Sequence, residues 1–177
     1  MDNKTKNLLK KLESKLDRLH EQLKAIPAEQ LAAQPTEEAW SVLNILEHLS
    51  LAEYHAHRYL EKKLGFNPEL PKVDLSSRFR VIALNAFNRS PFKIKAPKGV
   101  DVFQSELPLD AFIEKWKAQR AKLVSFLESL PEEVFDKQAY KHPFGGRLPI
   151  SGMVAFFDSH FDRHAKQIKR TLRKVGT

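Results

Sequence analysis

Apolar residues recur at three- and four-residue steps through most of the chain, the period of an amphipathic helix rather than a strand. Leu8, Leu9, Leu12, Leu16, Leu19, Leu23 and Ile26 make one such stripe, with lysines and glutamates opposite, and predict a helix over 2–26 stopped by Pro27. His20 borders this stripe and is expected to be a surface or boundary residue. A connector containing Pro35 follows over 28–40, and Trp40 is expected to plug one end of the assembly as a large apolar anchor. Ser41 reads as the N-cap of a second helix at 42–64, closed by Gly65, with Ile45, Leu49, Ala52, Ala56 and Leu60 as its buried stripe. A third long helix is expected over 109–130, carrying Phe112, Ile113, Trp116, Leu123, Phe126, Leu127 and Leu130. The fourth runs over 149–174 from Pro149, a residue suited to a first helical turn, with Ile150, Met153, Phe157, Phe161, Ile168 and Leu172 on one face.

Two stretches break the pattern. Residues 65–107 are interrupted by Pro68, Pro71, Pro91 and Pro97, with a short helix expected at 76–88 on Phe79, Ile82, Ala83, Ala86 and Phe87. Residues 131–148 read as a loop with tight turns at His142-Pro143 and Gly145-Gly146. Four long helices with a long crossover between the second and third predict an all-α four-helix bundle, one domain over 1–177.

Composition narrows the chemistry. The 177 residues suffice for one core, and there is no cysteine. Disulfides, zinc–thiolate sites and a cysteine nucleophile are therefore excluded. A metal would have to be held by imidazole and oxygen, and a reacting thiol would have to come with a substrate. No signal-peptide pattern opens the chain, and no run approaches the roughly 18–20 apolar residues of a membrane span. A cytoplasmic protein with no membrane association is expected. The net charge of +8 draws attention to Leu75–Val100, which has no acidic residue but contains Arg78, Arg80, Arg89, Lys93, Lys95 and Lys98 among Phe79, Phe87 and Phe92. Arg78, Arg80, Lys95 and Lys98 are candidate anion-binding residues. The other reading is a crossover whose phenylalanines cap the core while its lysines face water. No nucleic-acid-binding motif accompanies the charge, so nucleic acid is not the expected partner.

The histidines change the picture more. His160 and His164 stand at i and i+4, on one face of the fourth helix. His48 lies at the corresponding edge of the second helix. At 1.5 Å per residue, His48 is about 10 Å from the start of its helix and His164 about 15 Å from the end of its own. If those helices run antiparallel, the three imidazoles can meet at one depth. Three neutral imidazoles suit Zn²⁺, Ni²⁺ or Fe²⁺ with a position left open. A metalloprotease reading fails, because Phe161 stands where the glutamate base would follow the first histidine, and Asp162 turns away. No catalytic base is assigned. His55, Glu53, Tyr59 and His142 are candidates for the cavity or for hydrogen bonds to the ligands.

The ordered features Trp40-Ser41, Glu47-His48-Leu49, Lys95-Ala96-Pro97-Lys98, His142-Pro143 with its glycine turn, and His160-x₃-His164-x₂-Gln167-Ile168 cover nearly the whole chain. In this order they resemble the DinB-like superfamily of metal-binding four-helix bundles. The resemblance implies an up-down-down-up bundle with helices two and four antiparallel. It implies His48, His160 and His164 as ligands of a divalent metal, nickel or zinc foremost and iron as a further option. It also implies addition of a low-molecular-weight thiol, such as bacillithiol or mycothiol, to a small-molecule electrophile. The expectation is a metal-dependent thiol S-transferase or hydrolase, forming a homodimer, with crossover cations for acidic groups of the substrate. The competing expectation is a non-catalytic binding module using the basic crossover 75–100.

Overall fold

The structure is a computed structural model that describes residues 1–92, 99–101, 103 and 105–176. In chain order its helices are α1 (Asn3–Leu23), α2 (Ala28–Ala32), α3 (Val42–Gly65), α4 (Leu75–Arg89), α5 (Leu109–Ser129) and α6 (Ile150–Val175). A short 3₁₀ helix (Glu132–Asp136) and a hairpin, β1 (Tyr140–His142) against β2 (Gly146–Leu148), precede α6. Three starts are fixed by side chains that satisfy otherwise unpaired amides. Asp2 accepts from Thr5 N, and capping boxes join Ser41 with Asn44 and Asp74 with Ser77.

The long helices α1, α3, α5 and α6 bury the expected stripes in one core around Leu12, Leu16, Ile45, Leu60, Trp116, Leu123, Ile150 and Met153. Cross-helix contacts give their directions. Glu13, Asp17 and His20 of α1 meet Arg120, Lys117 and Asp110 of α5, so these two run antiparallel. Lys11 and Lys15 meet Asp158 and Asp162, so α1 and α6 run parallel. Ser50, Glu53 and His57 meet Gln119, Arg120 and Phe126, so α3 and α5 run parallel. The bundle is up-down-down-up, with α3 and α6 antiparallel.

Several details depart from the sequence expectation. The first helix ends at Leu23 rather than Ile26, and the 28–40 connector holds α2. His20 is buried and pairs with Asp110 at 2.6 Å. The 131–148 loop contains the 3₁₀ helix and the hairpin. Strands of three residues are too short to leave a period-two signal, and Gly146 supplies the positive φ of +69° beside the turn. In the crossover, the phenylalanines do not all cap the core. Phe87 is half-buried, but Phe79 and Phe92 are exposed, because α4 turns Ser77, Val81, Leu84 and Asn88 inward instead. Among the described residues, no helix is long and apolar enough to cross a membrane.

Candidate metal centre

α3 and α6 bring three imidazoles to one point between them. His160 Nε2 lies 3.2 Å from His48 Nε2 and 3.0 Å from His164 Nε2. One ligand atom from each ring falls within 4.8 Å of the others. His48 and His164 are buried, and His160 is half-buried. Antiparallel packing is what makes this possible, since it places the second turn of α3 beside the middle of α6.

The other ring nitrogens set the proton positions. His48 Nδ1 is 2.8 Å from the Val100 carbonyl oxygen, which can only accept, so Nδ1 carries the hydrogen. His164 Nδ1 is 2.8 Å from Gln167 Oε1 and donates likewise. Both Nε2 atoms are then bare lone pairs, and both face His160 Nε2. That nitrogen has at most one hydrogen to offer, so three converging nitrogens cannot satisfy one another as a dry cluster. A cation accepting three lone pairs resolves the conflict. Tetrahedral ligands at the usual 2.0–2.1 Å from zinc stand about 3.3 Å apart, close to the separations found. The donor set fits a divalent metal of the zinc, nickel or iron kind.

Electrostatics agree. Burial lowers His48, only partly offset by its Val100 hydrogen bond. Burial also lowers His164, to about 3, with the neighbouring His48 adding to the effect. His160 is held well below the ordinary range, again by burial first and then by His164 and His48. All three are neutral near pH 7, as ligands must be.

Aromatic rings wall the cluster. Trp40 lies 4.9 Å from the His48 ring and 6.4 Å from that of His164, with Phe103 at its edge. Trp40 therefore borders the site rather than simply closing the bundle end. Phe156 stacks on His160 at 5.0 Å and an interplanar angle of 18°. His142 meets Phe156 edge-on at 4.4 Å. Its Nδ1 accepts from the amides of Phe144 and Gly145, so its hydrogen is on Nε2. Burial depresses its pKa to about 4.

The remaining candidates are placed elsewhere. His55 is exposed on α3 and donates to the Gly99 carbonyl, one residue before the one His48 holds. Glu53 faces the opposite side of α3 and forms a bidentate pair with buried Arg120. Five residues from His48 correspond to about 140° of helix, which takes it away from the cluster. Tyr59 packs edge-on against Tyr140 at 5.7 Å. Arg80 is committed to the Arg147 carbonyl, Ser76 and Gln138, so it is a structural strut rather than a free cation. Arg78 is exposed. Lys95 and Lys98 lie outside the described residues.

Two contributors have no role assigned from the sequence, Gln167 being named there only as a position of the α6 motif. Gln167 orients His164, and its position three residues on in the same helix was the available signal. Arg163, between the two α6 histidines, reaches the carbonyls of Phe87, Asn88, Ser90 and Phe92 and closes the C-terminal end of α4. That contact has no sequence signature.

Comparison with known proteins gives a consistent picture. The family model described as the DinB superfamily matches residues 11–168. YuaE of Bacillus subtilis (strain 168), itself uncharacterised, is 24% identical over 163 residues, covering 92% of this chain and 95% of the relative. A protein of Oceanobacillus iheyensis named "Putative metal-dependent hydrolase OB0413" is 24% identical over 164 residues, covering 93% and 83%. Among solved structures, YfiT from Bacillus subtilis, described as a probable metal-dependent hydrolase with an unusual four-helix bundle topology, aligns with a TM-score of 0.59. That alignment has 16% identity and covers 99% of this chain and 90% of the other.

Proposed function

This chain belongs to the DinB superfamily, and from that premise we propose that it is a divalent-metal-dependent enzyme, a hydrolase or a thiol S-transferase, with His48, His160 and His164 as the metal ligands. The observation that carries the proposal is the convergence of three Nε2 atoms, two of them stripped of hydrogen by Nδ1–H···O bonds to Val100 and Gln167. The names borne by the Oceanobacillus relative and by YfiT support the hydrolytic form. A bound divalent ion would supply Lewis acidity, making a water or an incoming thiol nucleophilic at neutral pH.

The chain's own residues would do the rest. His48 and His164 hold their rings in the ligating orientation through Val100 and Gln167. Trp40 and Phe156 keep water from two sides of the cluster, which strengthens electrostatic interactions within it. His142 stays neutral and holds its hydrogen at Nε2, available for donation to a substrate. The substrate would be a small electrophile, and the setting cytoplasmic.

The test uses untagged protein stripped of metal and titrated with Zn²⁺ or Ni²⁺. Calorimetry and elemental analysis should find one ion per chain, and His160→Ala should abolish stoichiometric binding. Less than a tenth of an ion per chain, or unchanged binding in His160→Ala, sinks the site. The loaded protein is then assayed on activated esters and on alkylating electrophiles with an added thiol. Because the chain has no cysteine, the protein adds no thiol of its own, and thiol lost beyond enzyme-free and electrophile-free controls reports transfer. Ester cleavage without thiol consumption selects the hydrolase.

A further inference from the structure

His142 is 6% exposed, yet only one of its ring nitrogens is paired. It ends β1 opposite Gly146, and its Nδ1 accepts from the Phe144 and Gly145 amides at 3.2 and 2.9 Å. The two nitrogens of an imidazole point apart, so Nε2–H is directed away from the turn. The described residues give it no partner and do not seal it from solvent. A residue needed only to hold this turn could be Asn, Asp or Ser, whose shorter side chains accept the same amides. An imidazole buried here leaves a second polar group to be satisfied, at a cost that a ligand can remove.

The hairpin holds that donor in place. Gly145 leaves no room for a Cβ beside Leu84 of α4, Gly146 takes the positive φ, and Arg80 donates to the Arg147 carbonyl. On α6, Phe156, His160 and His164 follow one another at four-residue steps along one face, and His142 meets Phe156 at the end of that row. The two ring contacts in series, 4.4 Å from His142 to Phe156 and 5.0 Å from Phe156 to His160, keep His142 within about 9 Å of His160. That separation lets one carbonyl group face the histidine cluster with its carbon and His142 with its oxygen, about 3 Å from Nε2.

We propose that His142 binds the carbonyl oxygen of an acyl substrate, and that the reaction at the histidine cluster is hydrolysis of an ester or a comparably activated acyl compound. The proposal rests on the metal-dependent reading above and narrows it from two reaction classes to one. The oxygen of a water adds to the carbonyl carbon, and the π electron pair moves onto the carbonyl oxygen, where the Nε2–H bond strengthens on the new negative charge. The pair then re-forms the double bond, the C–O bond to the alcohol breaks, and the departing alkoxide takes up the proton that the water gives up. His142 keeps its own hydrogen throughout. Two amide donors on Nδ1 oppose a second proton there, and a neutral imidazole so fixed polarises a carbonyl without passing on its hydrogen. An alkyl halide develops no charge on a carbonyl oxygen and gains nothing from this donor.

The full chain loaded with Zn²⁺ tests this, with 4-nitrophenyl acetate as substrate and 4-nitrophenyl methylphosphonate, a tetrahedral anion, as binding probe. An asparagine amide overlays Nδ1 and a glutamine amide overlays Nε2, so the two variants separate the two jobs of the ring. His142→Asn keeps the turn and loses the distal donor. Its kcat should fall about 100- to 1000-fold with KM changed less than about three-fold, and its calorimetric Kd for the phosphonate should rise at least about ten-fold, with Zn²⁺ still bound at one per chain. His142→Gln restores a distal donor and should recover most of both losses. The reverse order, with His142→Asn near wild type and His142→Gln defective, would show a residue that only holds the turn, and overturns the inference. An unchanged phosphonate Kd in His142→Asn overturns it too, as does a zinc-loaded wild type that cleaves no 4-nitrophenyl ester. Those failures leave the metal site standing, whereas a wild-type chain that takes up no Zn²⁺ removes the metal reading and this inference together.

Discussion

Arg120→Met offers the sharpest test of how the bundle holds its histidine-bearing helix. Arg120 is 3% exposed, and its guanidinium meets Glu53 at 2.8 and 3.0 Å and Glu13 at 2.9 Å, while lying 5.3 Å from the centre of the Trp116 ring. It therefore ties α1, α3 and α5 together. Burial alone would lower the guanidinium's pKa, and Glu53, then Glu13, more than offset this. Methionine fills similar volume but leaves the Glu53 carboxylate buried without its partner. Breaking a buried pair in this way costs about 3–5 kcal/mol, a large share of the 5–15 kcal/mol typical of a domain. Glu13 is 42% exposed, so its share is small and screened by solvent. The double variant Arg120→Met, Glu53→Met removes both charges and should recover most of the loss, since replacing a buried pair by apolar residues is often neutral. Urea denaturation followed by far-ultraviolet dichroism gives the three free energies and the coupling between the sites. A loss below about 1 kcal/mol in Arg120→Met, or additive losses in the double variant, would refute the reasoning.

Three further outcomes are expected. Gln167→Leu should weaken Zn²⁺ binding about 10- to 100-fold by releasing His164 Nδ1, and an unchanged Kd in calorimetry would deny Gln167 its positioning role. His142 has a folded pKa of about 4, below its unfolded value of 6.5. The unfolded chain therefore binds the extra proton first, and this contribution, present above pH 6.5, is lost as pH falls towards 4. His142→Asn keeps an acceptor for the Phe144 and Gly145 amides but cannot titrate, so it should flatten the stability–pH curve of the metal-free protein in that window by up to about 3 kcal/mol. A parallel curve would contradict the assignment. At Gly152 an added Cβ would lie 2.5 Å from Val81 Cγ2 and 3.2 Å from Pro149 Cδ. Gly152→Ala should accordingly lose about 1–2 kcal/mol despite its better helix propensity, and a raised Tm would show that α4 yields freely.

Local chemistry already specified much of this protein. The leucine stripe of α1, the Ser41 cap of α3 and Pro149 at the start of α6 lie within single segments, so their helices could be read from the sequence, with errors only at the ends. The three histidines were legible for the same reason, since helical spacing alone puts His160 and His164 on one face. The hairpin at Tyr140–Leu148 was not, because three-residue strands carry too little period. Glu53 and Tyr59 could not be assigned either. From the sequence they share a helix with His48, and only the packing of α5 and the hairpin shows that Arg120 and Tyr140 take them.

The sequence by itself determined which segments would be helical, that any metal would be held by imidazole rather than thiolate, and which histidines were available to hold it. Tertiary structure alone decided that Val100 and Gln167 leave bare Nε2 lone pairs at one point and that Phe79 faces outward, and it bore out the antiparallel α3 and α6 that the family resemblance implied. The physical reason is range. Helical period and capping act within a few residues, whereas the hydrogen bond from His48 to Val100 and the grip of Arg163 on α4 join segments far apart in the chain and exist only once the bundle has closed.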